Sequence, residues 1–289
     1  MIILNLKGGV GNQMFQYAFA RKLALQNDDV LKLETAGLTK ANDVGDIFRP
    51  FALDAFAIEK NIATVEEVRG LKYPYGVFSK GWRWFNAKIL KKIYVEFDSS
   101  ALTQTGDLFL DGYWQSPLYF ADIRDTLLTE FQLHTPLSPA VSAYQEQIVS
   151  CASVSIHVRR GDYAKNPRVL KEFGVCEASY YQLAIEHIEN EVPDPTFFIF
   201  SDDIAWVKEN LSLPSSTVFV QDPTLRDVEE LALMSMCTHN IIANSTFSWW
   251  AAWLNQNPNK VVVAPAPWYE TARFDVHLIP SSWIQLPKA

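Results

Sequence analysis

The sequence predicts an α/β protein whose C-terminal half is a doubly wound parallel sheet. Two observations carry this. From Val154 to Val263, short apolar runs alternate with helical segments apolar on one face. Strands buried on both faces read as unbroken apolar runs, and strand-helix alternation makes their sheet parallel. At the other end, Ile2 to Leu6 is an apolar run closed by the turn Lys7-Gly8-Gly9-Val10-Gly11 and followed by a helical pattern. That order of strand, glycine loop and helix opens an α/β unit, and 289 residues suffice for two domains.

The first helix is predicted over Asn12–Gln26, with Met14, Phe15, Ala18, Phe19 and Leu23 at helical spacing. Residues 36 to 106 carry aromatics among turn formers, so short helices and loops are expected there. Leu108–Tyr113 reads as a strand and Tyr119–Gln132 as a helix. Pro136 and Pro139 mark a boundary, giving an N-terminal lobe of 1–137 and a C-terminal lobe of 138–289. In that second lobe, strands are predicted at Val154–Val158, Thr196–Phe200, Thr217–Val220, Asn240–Ala243 and Lys260–Val263. The helices between and beside them are Ala178–Glu189, Ile204–Asn210, Val228–Met236 and Thr246–Gln256. A tail after Pro265 is free to cross back to the first lobe.

Bulk properties exclude several function classes. A net charge of -8 argues against a nucleic-acid surface, so an anionic ligand would need a local basic site. The cysteines Cys151, Cys176 and Cys237 form no ligand or disulfide pattern, which fits a reducing compartment. The histidines show no zinc spacing, and no Asp-x-Asp triplet occurs, so no metal is expected. No apolar stretch is long enough to span a bilayer. The expectation is a cytoplasmic protein, with attachment to the inner face of a membrane left open.

Four segments carry the candidate chemistry. His157-Val158-Arg159-Arg160-Gly161-Asp162-Tyr163 sets an imidazole, two guanidiniums and a carboxylate at the end of an apolar strand. Guanidinium forks match phosphate oxygens, although an arginine pair can also lie in a surface turn. Asp162 could serve the chemistry or simply hold an arginine. The loop Gly8-Gly9-Val10-Gly11-Asn12-Gln13 lacks the Lys-Ser/Thr of a P-loop and the third glycine of a dinucleotide fingerprint. Its amides could reach a ligand or only cap the helix. Ser201-Asp202-Asp203 puts carboxylates at a strand end, where they could accept from a nucleoside or cap the next helix. Asn244-Ser245-Thr246-Phe247-Ser248-Trp249-Trp250 opens a helix with hydroxyls, a favourable anion site or a plain N-cap. Trp249, Trp250 and Trp253 read as core.

Taken together, Gly8 to Ala18, His157 to Tyr163, Phe200 to Asp203 and Asn240 to Leu254 resemble the bacterial α-1,2-fucosyltransferases of glycosyltransferase family 11. The resemblance implies a GT-B-like arrangement, two Rossmann-like lobes facing a cleft. It implies a metal-independent, inverting transferase without cofactor, using GDP-β-L-fucose as donor. The 2-hydroxyl of a terminal β-galactoside would be the acceptor, in surface polysaccharide or O-antigen synthesis. By this likeness Arg159 grips the β-phosphate, Arg160 supports it and His157 contacts the nucleotide. Ser245, Thr246 and Ser248 meet the pyrophosphate, while Glu230 offers an acceptor to guanine or ribose. Asn12 and Gln13 lie near the transferred sugar. Some related fucosyltransferases carry a glutamate base ten residues after the motif histidine. Pro167 stands there in this chain, so that base has no counterpart.

Overall fold

A computed structural model describes residues 1–39, 49–72, 97–270 and 277–289. The side chains of Thr39, Ala140, Asp162, Lys165 and Arg168 lie outside the described set. The chain divides into two compact units, 1–134 with 276–278, and 135–275 with 279–289.

The first unit is built on a three-stranded parallel sheet in the order β2-β1-β3. Its strands are β1 (Ile2–Asn5), β2 (Leu31–Glu34) and β3 (Leu108–Leu110). Helix α1 (Val10–Asn27) packs on the sheet and is buried round most of its first turns, Gln13 and Gln16 included. It begins two positions earlier than the apolar spacing predicts. Gly9 is its N-cap and Gly8 turns the chain with φ +79°, a conformation that suits glycine. Strand β3 stops at Leu110 instead of Tyr113, and Trp114 takes a left-handed φ of 46° just beyond. The helix expected over Tyr119–Gln132 is two 3₁₀ turns followed by α3 (Arg124–Glu130), after α2 (Val65–Lys72) earlier in the chain. Much of the irregular stretch expected over 36 to 106 lies outside the described residues.

The second unit carries six parallel strands: β4 (Ser153–Val158), β5 (Thr196–Ser201), β6 (Thr217–Phe219), β7 (His239–Ile241), β8 (Val262–Ala266) and β9 (Ile284–Pro287). Their spatial order is β6-β5-β4-β7-β8-β9. Numbered within the unit this is 3-2-1-4-5-6, the dinucleotide-fold order, whose direction of winding reverses between its first and fourth strands. Open sheets of this kind bind ligands beyond the carboxyl ends of the strands at that reversal, here β4 and β7. Helices α4 (Pro139–Val149), α5 (Gly161–Lys165), α6 (Pro167–Phe173), α7 (Ala178–Glu191), α8 (Ile204–Asn210), α9 (Asp227–Met236) and α10 (Thr246–Leu254) complete the unit. Burial of β4 and the centre of β5 is nearly complete: Val154, Ile156, Phe197, Phe198, Ile199 and Phe200 are all 0% exposed. The tryptophans of α10 pack as expected. Trp249 and Trp250 are fully buried, with Trp283 against Trp249. Helix α4, the pair α5–α6 and strand β9 are not predicted by the sequence.

Candidate active site

Register brings the first site residues together. Val158 at the end of β4 lies opposite Ser201 at the end of β5, so Arg159 and Asp202 leave the sheet side by side. Asp202 Oδ2 holds the Arg159 guanidinium at 3.0 Å, and its Oδ1 accepts the backbone N–H of Arg160 at 2.9 Å. One carboxylate thus fixes both arginines. Its approach is so close that a Cβ on Gly161 would lie 2.4 Å from Oδ2, which explains glycine there. The neighbouring Asp203 does something different: its side chain caps α8 by accepting the Trp206 N–H at 3.2 Å. Asp203 thus takes the capping role open to this pair, while Asp202 holds the arginines, a role that the sequence leaves open for Asp162.

Arg160 stacks on Trp206, its guanidinium carbon 3.9 Å from the ring centroid, a cation–π contact. Among the described residues only three buried side-chain polar atoms lack a hydrogen-bond partner. Two are in this site: Arg160 Nη1 and His157 Nδ1. An unpartnered buried polar group costs free energy, and it commonly marks a place where a ligand supplies the missing partner. His157 is 5% exposed at the end of β4, and burial together with the Arg159 charge depresses its pKa to about 3. It is a neutral imidazole throughout the working range and one of its nitrogens is a hydrogen-bond donor.

Strand β4 also pairs with β7, which delivers the start of α10 to the same edge. The His157 ring lies 5.4 Å from that of Phe247 in the first turn of α10. Ser245 is the N-cap and accepts the Phe247 N–H at 3.3 Å. Thr246 is half-buried beside it. Ser248 behaves otherwise. It is 0% exposed, and its hydroxyl donates back to the Ala243 and Ser245 carbonyls at 3.4 and 3.3 Å. Its hydroxyl therefore serves its own turn, a correction to the pyrophosphate role implied for it.

Glu230, on α9, completes the electrostatics. Burial, then the nearby charges of Asp227 and Asp202, raise its pKa to about 7, against a smaller opposing pull from Arg159. Between the unfolded value of 4.5 and about 7 the folded protein binds the extra proton, so stability falls as pH rises through that window. Glu230→Gln should therefore be more stable than the wild type at pH 8, by about 1–2 kcal/mol after discounting for partial exposure. Thermal melts should show the difference closing toward pH 5, and a gap independent of pH would contradict this reading.

Asn12 and Gln13 belong to the first unit. Gln13 is 0% exposed, and its amide bonds the carbonyls of Gly8 and Pro50 and the N–H of Ala52. It braces the glycine loop. Asn12 Oδ1 accepts from Gln115 at 2.8 Å, and neither residue caps α1. The backbone of Asp162 lies in α5, and its side chain falls outside the described set. Trp206 and Phe247 contribute contacts that no sequence signal singled out, because a lone aromatic in a helix most often reads as core.

Among the described residues no group of three His, Cys, Asp or Glu side chains comes together as a metal site. No helix among them is long and apolar enough to cross a membrane.

Comparison with known proteins gives concordant results. The family model described as "Glycosyl transferase family 11" matches residues 1–285. An alpha-1,2-colitosyltransferase of Escherichia coli is 31% identical across 100% of this chain and 99% of its own length. The O-antigen biosynthesis glycosyltransferase WbnK of the same species is 33% identical across 97% and 99%. A galactoside 2-alpha-L-fucosyltransferase of Mus musculus is 25% identical across 88% of this chain and 64% of its own length. Among solved structures, the fucosyltransferase NodZ from Bradyrhizobium superposes with a TM-score of 0.53 at 14% identity, covering 86% of this chain and 91% of that one. This last likeness speaks to fold.

Proposed function

The chain belongs to glycosyltransferase family 11, and from that membership we propose that it transfers L-fucose from GDP-β-L-fucose to the 2-hydroxyl of a terminal β-galactoside, inverting the anomeric centre. The observation that carries the reading is the cationic edge of the second unit. Arg159, Arg160 and the start of α10 converge beyond the carboxyl ends of β4 and β7, where a sheet of this order binds nucleotides. Two buried nitrogens there, on His157 and Arg160, await partners.

In this proposal the acceptor oxygen attacks C1 of fucose as the C1–O bond to the β-phosphate breaks, yielding the glycoside, GDP and a proton. Charge grows on the departing diphosphate, and the two guanidiniums stabilise it. Arg159 is held in place for that by Asp202, and Arg160 by Trp206. The cap and first-turn amides of α10, with Ser245 and Thr246, favour phosphate through the positive end of the helix dipole. The fixed cations do the work that a metal does in other transferases, so the reaction is proposed to run without one. The site of action is proposed to be the cytoplasmic side of the membrane, on a galactose-terminated precursor of a surface glycan.

The full-length match to a colitosyltransferase favours one second reading, a colitosyl donor at the same site. GDP release with lactose present, measured for GDP-fucose and GDP-colitose in buffer containing EDTA, separates the two. GDP-fucose is expected to lead in kcat/KM by about tenfold. A preference for GDP-colitose, or turnover only after a divalent cation is restored, would overturn the corresponding part of the proposal.

A further inference from the structure

Beyond β9 the chain places a lysine where a charge is costly. Lys288 is 3% exposed, with Nζ 2.6 Å from Glu270 Oε1 and donating to the Phe173 carbonyl at 2.8 Å. The same carbonyl accepts from Asn244 Nδ2, also at 2.8 Å. The C-terminus of α6 is therefore clamped at one carbonyl from two directions, one being the strand-to-helix turn that leads into Ser245. Around the clamp the fit is close. Gly174 has φ +65°, and a Cβ there would lie 2.2 Å from Glu270 Oε1 and 2.9 Å from Lys288 Nζ. Backbone bonds from Lys288 N–H to Ala266, Glu177 N–H to Lys288 and Glu270 N–H to Glu172 tie three segments to it, at 3.0 Å each.

A buried ammonium needs a reason, since an apolar residue of similar size usually serves stability as well. The reason lies in what Phe173 touches. Its ring packs between those of Tyr269 at 5.3 Å and Tyr163 at 5.4 Å. Tyr163 in turn lies under the Arg159 guanidinium, 5.8 Å from centroid to carbon. Asp202 restrains the arginine from one side, and this ring pair meets it from another.

We infer that Lys288 is a positioning residue for Arg159, holding Phe173, and through it Tyr163, against the guanidinium. The inference rests on the proposed role of Arg159 at the leaving diphosphate. Lys288→Met keeps the apolar stem, and Glu270, 46% exposed, can turn to water. The variant should lose about tenfold in kcat per folded molecule, with KM for the galactoside unchanged. Lys288→Arg should recover most of it. In a Tyr163→Leu background the same substitution should change kcat less than about twofold, while its drop in Tm stays the same in both backgrounds. Full kcat in Lys288→Met at a temperature well below its Tm overturns the inference, as does an undiminished loss in the Tyr163→Leu background.

Hydrogen exchange of the ligand-free protein keeps the test separate from the functional reading. Amides of residues 161–174 should exchange about tenfold faster in Lys288→Met, with those of β4 and β5 unchanged. If the wild type transfers no fucose, the functional reading fails. The clamp is then judged by exchange alone, and unaltered exchange removes it.

Discussion

Arg159→Ala should lower kcat for fucosyl transfer about 10³-fold, equivalent to about 4 kcal/mol of lost transition-state stabilisation. The guanidinium meets a charge that exists in full only as the C1–O bond breaks, so kcat should fall further than donor KM rises. Arg159→Lys should recover only part, because an ammonium replaces the planar fork by a point charge. Stability should barely change. The Arg159–Asp202 pair is partly exposed, with side chains at 27% and 26%, and such pairs contribute about 0–1 kcal/mol. Initial rates of GDP release with lactose present check the expectation. A variant within about threefold of the wild type in kcat would remove Arg159 from the chemistry.

The second large effect is expected at Asp202. Alanine there removes one restraint on the Arg159 guanidinium and deprives the Arg160 N–H of its acceptor. The expected loss is about 10–100-fold in kcat, with about 1–2 kcal/mol of stability. Gly161→Ala should imitate it, because the new Cβ displaces the carboxylate that sits 2.4 Å from its position. The two substitutions act on one contact, so they should not add: in an Asp202→Ala background, Gly161→Ala should change kcat by less than about twofold. Steady-state kinetics on the four proteins decide this, and a multiplicative double mutant would mean that Gly161 matters for some other reason.

The sheet of the second unit was legible because its central strands are buried on both faces. Val154 to Val158 and Phe197 to Phe200 are short runs, bounded by turn residues, whose length suits a covered strand better than a helix. The edge strands β9 and β2 carry no such signature. In β9, Ile284-Gln285-Leu286-Pro287 alternates between half-buried and exposed and ends in proline. In β2, Leu31-Lys32-Leu33-Glu34 is half-polar and short. The start of α1 is hidden in the sequence because Val10 and Gly11 resemble the glycine turn before them more than the helix they begin.

The site was legible where chemistry is local. Arg159, Arg160 and His157 stand in one strand-end motif, and Asp202 at the end of the adjacent strand. What sequence could not reveal was the pairing register that joins Arg159 to Asp202 across 43 positions of chain. Nor could it show that the Ser248 hydroxyl turns inward while Ser245 caps the helix, since helical phase alone separates them. Lys288 lay wholly outside the motifs, and its burial depends on four segments meeting.

The central claim is fucosyl transfer to the 2-position of galactose with inversion. NMR of the product from GDP-β-L-fucose and lactose tests it most directly. The account predicts an α-L-fucosyl residue on O2 of galactose, formed in proportion to the GDP released. A β-fucoside, or fucose on any other oxygen of the acceptor, would contradict it.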